Sequence, residues 1–360
     1  MRIAQISPLI ESVPPRRYGG TERIVSYLTE ELVRAGHDVT LFASGDSLTA
    51  ARLEPMCAEG LRLAQGAVDP VVFHILMLEE VRRRAAEFDV LHVHLDLLHY
   101  PMLRQHSARC LTTLHGRLDQ PFAPKLYQTF DDYGLVSISD HQRTPLPPVN
   151  WAATVHHGLP KDLLPFRAKP EGYLAFLGRI SPEKRPDRAI AIAARAGLRL
   201  KIAAKVDRAD AEYWEQKIRP LVNNNPNVEF IGEITEREKA DFLGNAAALL
   251  FPIDWPEPFG LVMIEAMSCG TPVIAFGCGS VPEVVDNGAS GFIVSSVKEA
   301  AERVEDAVRL DRAAIRRIFE KRFSAERMAR DYVSIYRRMA EPTPLKPRLK
   351  LVNGSHNAVF

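Results

Sequence analysis

Short apolar runs alternate with amphipathic, helix-spaced runs twice along this chain, and a proline-rich stretch separates the two series. In the first series RIAQIS, DVTLFAS, VLHVHL, RCLTTLH and GLVSIS read as strands. Between them, TERIVSYLTEELVRA places Ile24, Leu28, Leu32 and Ala35 at helical spacing, with Thr21 as a candidate cap and Gly36 as a stop. VFHILMLEEVRRRAAEF reads as a second helix. Strands and helices in this order predict a parallel sheet with helices on both faces. From about 145 to 170 the sequence is rich in proline and lacks periodicity, which marks a domain junction. The alternation then resumes with GYLAFLG, a helix RPDRAIAIAARAG with proline in its first turn, and the strands RLKIAAK, NVEFIG, AAALLFP and TPVIAF. SAERMARDYVSIYRRMA closes the series as an amphipathic helix with Ser324 at its N-cap. The expectation is α/β: two doubly wound Rossmann-like domains, 1–160 and 171–322, facing across a cleft. A helix over 323–340 packs back on the first domain, and 341–360 form a poorly ordered tail.

With 360 residues there is room for two such domains. A net charge of +1 gives no basic field for nucleic acid or an acidic membrane, so RRR at 82–84 and KPRLK at 346–350 read as a solvated helix face and a tail. Cys57, Cys110, Cys269 and Cys278 have no C-x-x-C spacing, which suits a reducing compartment and argues against structural zinc. The first apolar run is too short for a signal peptide, and no stretch reaches the roughly 20 apolar residues of a membrane span. The expected compartment is the cytoplasm, with peripheral membrane contact left open.

In doubly wound sheets ligands sit beyond the carboxyl ends of strands, so loops following strands are where chemistry belongs. YGG, Tyr18 to Gly20, precedes a helix. Paired glycines let backbone approach a ligand, and the helix end behind them favours an anion, although a plain turn would look the same. In GRISPEK, Arg179 ends a strand and Lys184 follows five residues on, so two cations can converge on one anion. LLFPIDWPEPFG leads into a helix starting near Phe259 or Gly260, whose first N–H groups suit a phosphate or a sugar hydroxyl. Glu257 lies in that loop, and Glu265 lies in the helix among Ile264, Ala266 and Met267. A carboxylate so placed needs partners, which a ribose diol would supply, unless the residue simply faces solvent. His115 ends a strand, where a histidine commonly bonds a neighbouring loop. His92, His94 and His99 raise a metal question, but the three or four ligands of a zinc site are not evident. His94 or Asp96 could line an acceptor side. The sequence contains no Asp-x-Asp.

EPFGLVMIEAMSCGTPVIA, followed by GSVPEVVDNGASGFIV, closely resembles the retaining glycosyltransferases of family 4, which have the GT-B fold. YGGTERIVSYLTEELVRAGHDVTLFA is similar to their N-terminal loop and first helix, and FLGRISPEKRPDRAI to their phosphate-binding loop, so the resemblance spans nearly all of 1–340. It implies a UDP- or GDP-sugar donor lying mostly on the second domain, with no metal and no other cofactor. Arg179 and Lys184 would hold the diphosphate, and Glu257 would meet the sugar hydroxyls while Glu265 holds the ribose. The amides of Phe259, Gly260 and Leu261 would bind diphosphate and sugar, Gly19 and Gly20 would close on the phosphates, and His115 would lie near the sugar. The acceptor would be a sugar, a lipid-linked or a small-molecule hydroxyl, with no nucleic acid involved. Lys205, where a glycine-rich turn is expected, could add a third cation, and His157 stands where asparagine is common. A non-catalytic nucleotide-sugar binding or regulatory protein, or an epimerase of similar fold, is the rival reading. An NAD oxidoreductase is weaker, because GCG at 277–279 lacks the third glycine of the dinucleotide fingerprint.

Overall fold

A computed structural model describes residues 1–16, 19–62, 64 and 69–340. The first sheet contains β1 (Arg2–Ile6), β2 (Asp38–Ala43), β3 (Arg52–Pro55), β4 (Val90–Val93), β5 (Cys110–Thr113), β6 (Gly134–Ser137) and β7 (Trp151–Thr154), in the order β3-β2-β1-β4-β5-β6-β7. The second contains β8 (Tyr173–Arg179), β9 (Leu200–Lys205), β10 (Val228–Gly232), β11 (Ala246–Phe251), β12 (Val273–Phe276) and β13 (Gly291–Val294), in the order β10-β9-β8-β11-β12-β13. Every pairing is parallel. The central strands are buried on both faces, which is why they read as unbroken apolar runs rather than alternating ones. Both domains are therefore doubly wound, as expected. The strand order reverses between β1 and β4 in one sheet and between β8 and β11 in the other, and each reversal opens a crevice.

The proline-rich stretch is not wholly irregular. Trp151–Thr154 form the edge strand β7 of the first sheet, and all four residues are only half-buried, so no hydrophobic pattern announced them. β3 is an edge strand of the same kind. Thr21 does not cap its helix. The helix begins one residue earlier, at Gly20, with Gly19 at the N-cap and no side-chain cap bond. Pro186 does open its helix, and Ser324 Oγ accepts from the Arg327 N–H at 3.3 Å.

The chain returns to the first domain near Leu159. The Leu159 N–H donates to Phe323 O and the Ala325 N–H donates to Leu159 O, at 2.9 and 2.8 Å. A Cβ on Gly158 would stand 2.3 Å from Ser324 O, so only glycine permits this crossing. The helix Ala325–Ala340 then lies against the helix Gly20–Arg34 and against β4. The expected tail, 341–360, lies outside the described residues. Among the described residues no helix is long and apolar enough to cross a membrane.

Candidate active site

One cavity of about 850 Å³ lies between the two sheets and is lined from both domains. On the second domain, Arg179 at the end of β8, Lys205 at the end of β9 and Lys184 in the following 3-10 turn all line it. Each cation already has an acidic neighbour. Arg179 is 3.0 Å from Glu183 and 3.8 Å from Asp207, while Lys205 is 2.8 Å from Asp207. Lys184 pairs with Glu257, and its ammonium stands 4.9 Å from the centre of the Trp255 ring. The loop is thus charge-balanced and braced by its own side chains.

The opening of the next helix explains its sequence. Gly260 is the N-cap of the helix Leu261–Ser268 and has φ 78°. A Cβ there would meet Met263 Cε at 2.9 Å and Phe251 Cζ at 3.0 Å. Glycine is therefore required twice over, by the left-handed backbone and by the close packing. Phe259, Gly260 and Leu261 line the cavity, where the first N–H groups of a helix lack intrahelical partners. Glu265 is 3% exposed, one full turn in, and also lines the cavity. Its partner in this structure is Lys239, at 2.7 Å. Lys239 also approaches Glu236 at 3.4 Å, and Glu236 pairs with Arg23 of the first domain. A carboxylate–cation chain therefore crosses the cleft beside Glu265.

The wall contributed by the first domain differs in kind. Gly19 and Gly20 line the cavity at the start of their helix; Tyr18 lies outside the described residues. A Cβ on Gly19 would meet Pro15 Cβ at 2.8 Å, whereas on Gly20 it would meet only Leu261 Cδ1 at 3.9 Å. Gly20 does not have positive φ, so its value lies in open space beside a helix end rather than in backbone freedom. Glu22, in the first turn, is buried, and burial pushes its carboxyl up to about 7. His115 and His157 also line the cavity and stack with ring centres 5.4 Å apart. Burial holds both neutral: it pushes His115 down to about 3 and His157 well below its ordinary value.

His94 and Asp96, expected on the acceptor side, are not among the residues lining the cavity. His94 is buried behind His115, with its Nδ1 2.9 Å from His115 Nε2, and Asp96 is exposed. His92, His94 and His99 do not converge on a common point. His92 and His94 are committed to Thr113 and Gln5, and His99 bonds Thr112. Among the described residues no group of three or more His, Cys, Asp or Glu could hold a metal ion.

Sequence reading missed Lys239, Glu236 and Arg23, because their pairings join distant segments. It noted His157 only as a departure, and Trp255 not at all. Among the described residues, four that line the cavity carry a buried polar atom with no hydrogen-bond partner: His115 Nδ1, His157 Nδ1, Trp255 Nε1 and Glu236 Oε1. Such atoms are costly unless something polar meets them, so the cavity is built for a ligand rich in hydrogen-bonding groups.

Comparison with known proteins agrees with this arrangement. Residues 18–208 match the family described as "Glycosyltransferase Family 4", and residues 165–323 match "Glycosyl transferases group 1". Glycogen synthase of Mycobacterium tuberculosis is 25% identical, over 96% of this chain and 98% of its own length. D-inositol 3-phosphate glycosyltransferase of Mycolicibacterium smegmatis is 31% identical, over 46% of this chain and 37% of its own. Among solved structures, sucrose-phosphate synthase from Thermosynechococcus elongatus superposes with TM-score 0.73 at 21% identity, covering 94% of this chain and 99% of that one. AviGT4, a glycosyltransferase involved in avilamycin A biosynthesis, gives TM-score 0.72 at 23% identity, covering 94% and 98%.

Proposed function

The chain belongs to the glycosyltransferases of the GT-B fold, and from that premise we propose that it is a retaining, metal-independent enzyme using a nucleoside-diphosphate sugar. The observation that carries this reading is the pairing of two chemistries in one cavity. Three cations and a helix N-terminus stand on one wall, and residues that carry unsatisfied hydrogen-bonding atoms line a space of sugar-nucleotide size. As the glycosidic bond breaks, negative charge grows on the leaving diphosphate. Arg179, Lys184, Lys205 and the amides at Gly260 and Leu261 stabilise it, which is the electrostatic task a divalent ion performs elsewhere. The acceptor hydroxyl attacks from the leaving-group face and gives its proton to the departing phosphate oxygen, so the anomeric configuration is kept. Glu257, held by Lys184, meets sugar hydroxyls, Glu265 accepts from the ribose, and His115 contacts the sugar.

The acceptor is a hydroxyl on a sugar, a lipid-linked or a small molecule. UDP- and GDP-sugars are the donors to try first; HepE of Anabaena, which has a similar fold, has been solved with UDP and glucose. A thermal-shift screen tests the donor, because a ligand at about 100 times its Kd stabilises by about 2.7 kcal/mol. Product NMR then reads the anomeric configuration, and transfer persists in EDTA. No shift with any nucleotide-sugar, an inverted product, or activity restored only by Mg²⁺ or Mn²⁺ would each overturn the corresponding part. Binding without transfer or donor hydrolysis would favour a regulatory protein instead.

A further inference from the structure

Beneath His115 runs a hydrogen-bonded chain of buried side chains that ends on the C-terminal helix. The Tyr336 hydroxyl stands 2.6 Å from His92 Nδ1 and 3.3 Å from Gln5 Nε2. His92 Nε2 is 2.8 Å from Thr113 Oγ1, which is 2.9 Å from the Tyr332 hydroxyl. Gln5 Oε1 is 2.8 Å from His94 Nε2, and His94 Nδ1 is 2.9 Å from His115 Nε2. Gln5 and His92 are register partners on β1 and β4, so the chain crosses the sheet where its strand order reverses. Gln5, His92, Thr113, Tyr332 and Tyr336 are fully buried, and His94 nearly so.

Proton placement follows from the orientation of Gln5, whose Oε1 faces His94 Nε2 while its Nε2 faces the Tyr336 hydroxyl and, at 3.4 Å, His92 Nδ1. Burial keeps His92, His94 and His115 neutral, so each ring carries one N–H. His92 spends its N–H on Thr113 and takes the Tyr336 proton at Nδ1. The Tyr336 oxygen accepts from the Gln5 amide nitrogen, and the Gln5 carbonyl is turned toward His94. His94 must donate from Nε2, so its Nδ1 is bare and accepts the N–H of His115 Nε2. His115 Nδ1 is consequently unprotonated, and it is one of the cavity's partnerless buried atoms.

We propose that Gln5, His92, His94 and Tyr336 are positioning residues that fix the tautomer of His115, so that it presents a bare Nδ1 to the cleft and accepts a hydrogen bond from a hydroxyl of the bound sugar. The last clause rests on the donor reading above; the tautomer does not. A fixed neutral acceptor turns its lone pair toward a sugar that becomes cationic in the transition state. The opposite tautomer would present an N–H and a partial positive charge. The C-terminal helix thereby reaches the reaction centre without touching the substrate.

Nitrogen-15 NMR of histidine-labelled protein without ligand tests the tautomer directly, with His115 assigned by its loss in His115→Gln. The expected spectrum shows His115 protonated at Nε2 and bare at Nδ1. An Nδ1–H tautomer would overturn the proposal, and this outcome does not depend on which donor, if any, the protein uses. Two variants read the consequence. Tyr336→Phe should give His115 a mixture of tautomers and lower kcat about tenfold, roughly 1.4 kcal/mol of barrier, with donor Kd changed much less. His94→Asn, which restores an acceptor oxygen near the lost Nδ1, should keep most of the activity that His94→Ala loses. Equal losses in Asn and Ala, or an unchanged His115 tautomer in folded Tyr336→Phe, would sink it. If no nucleotide-sugar shifts the melting temperature, the donor reading fails while the NMR result still decides the relay.

Discussion

The two walls of the cleft solve opposite problems. The second domain presents Arg179, Lys184 and Lys205 with their side chains between 16% and 31% exposed, each beside a carboxylate and ready for an anion. The first domain presents His115 half-buried and His157 buried, both held neutral by burial and backed by side chains that water does not reach. Charge is kept where solvent can hydrate it until a ligand arrives, because burying unpaired charge is expensive. Directional hydrogen bonding is kept in the dry wall, where a lone pair holds its orientation. The difference teaches where substitutions will be felt. The charged wall should lose rate without losing fold, and the buried wall should couple the two.

The largest effect expected is on the charged wall. Arg179→Ala and Lys184→Ala should each reduce kcat/KM by on the order of 100-fold or more, the usual cost of removing one electrostatic donor to a leaving group. The ion pairs broken are partly exposed, so melting temperature should move little. Near-normal turnover in both variants would dissolve the contrast between the walls.

Glu265 sharpens the comparison, because it is a buried carboxylate on the otherwise exposed wall. Its 2.7 Å bond to Lys239 gives it a structural partner beside the ligand role proposed for it. Glu265→Ala should therefore weaken donor binding and also lower stability, by up to about 3 kcal/mol if the pair behaves as a buried one. A stability loss with donor Kd unchanged would make Glu265 structural only.

These pairings mark the limit of what the sequence carried. Central strands were legible because burial on both faces makes apolar runs; β3 and β7 were not, because edge strands need no such pattern. Arg179, Lys184, Glu257 and the Gly260 helix entrance were legible as cavity-lining positions, since each sits at the end of a strand or in the loop that follows one. Their counter-charges in part, and the buried relay entirely, were not. Lys239 is 26 residues from Glu265, and Tyr336 is 244 residues from His92. Contacts of that span depend on how the sheets and the returning helix assemble, and local spacing does not encode them.

Closure of the two walls has its own test. Gly20→Val should leave the fold intact, since a Cβ there meets nothing closer than 3.9 Å, yet it occupies the approach to a helix end. Transfer should fall about tenfold, about 1.4 kcal/mol, with little change in melting temperature. Gly19→Val should lose stability as well, through the Pro15 contact. A Gly20→Val enzyme with normal kcat would show that this loop is an ordinary turn.

The smallest effect expected is a pH dependence that belongs to the buried wall alone. Burial raises the Glu22 carboxyl to about 7, with the charge of nearby Glu11 pushing the same way and Arg62 opposing. The sign follows from the unfolded chain, where a glutamate titrates near its usual value. Between there and about pH 7 the folded protein holds a proton that the unfolded chain has released. The stabilisation is complete below the unfolded pKa and is lost as pH rises through the folded one. Glu22→Gln, which is neutral throughout, should therefore be more stable relative to the wild type at pH 8 than at pH 5. The same ionisation puts a negative charge in the helical turn of Gly19 and Gly20, on the wall that the proposed diphosphate would approach. Donor Kd should rise a few-fold between pH 6 and 8 in the wild type and stay flat in Glu22→Gln. The measurement is titration calorimetry of both proteins across that range. Parallel curves would place the titrating group on the other wall.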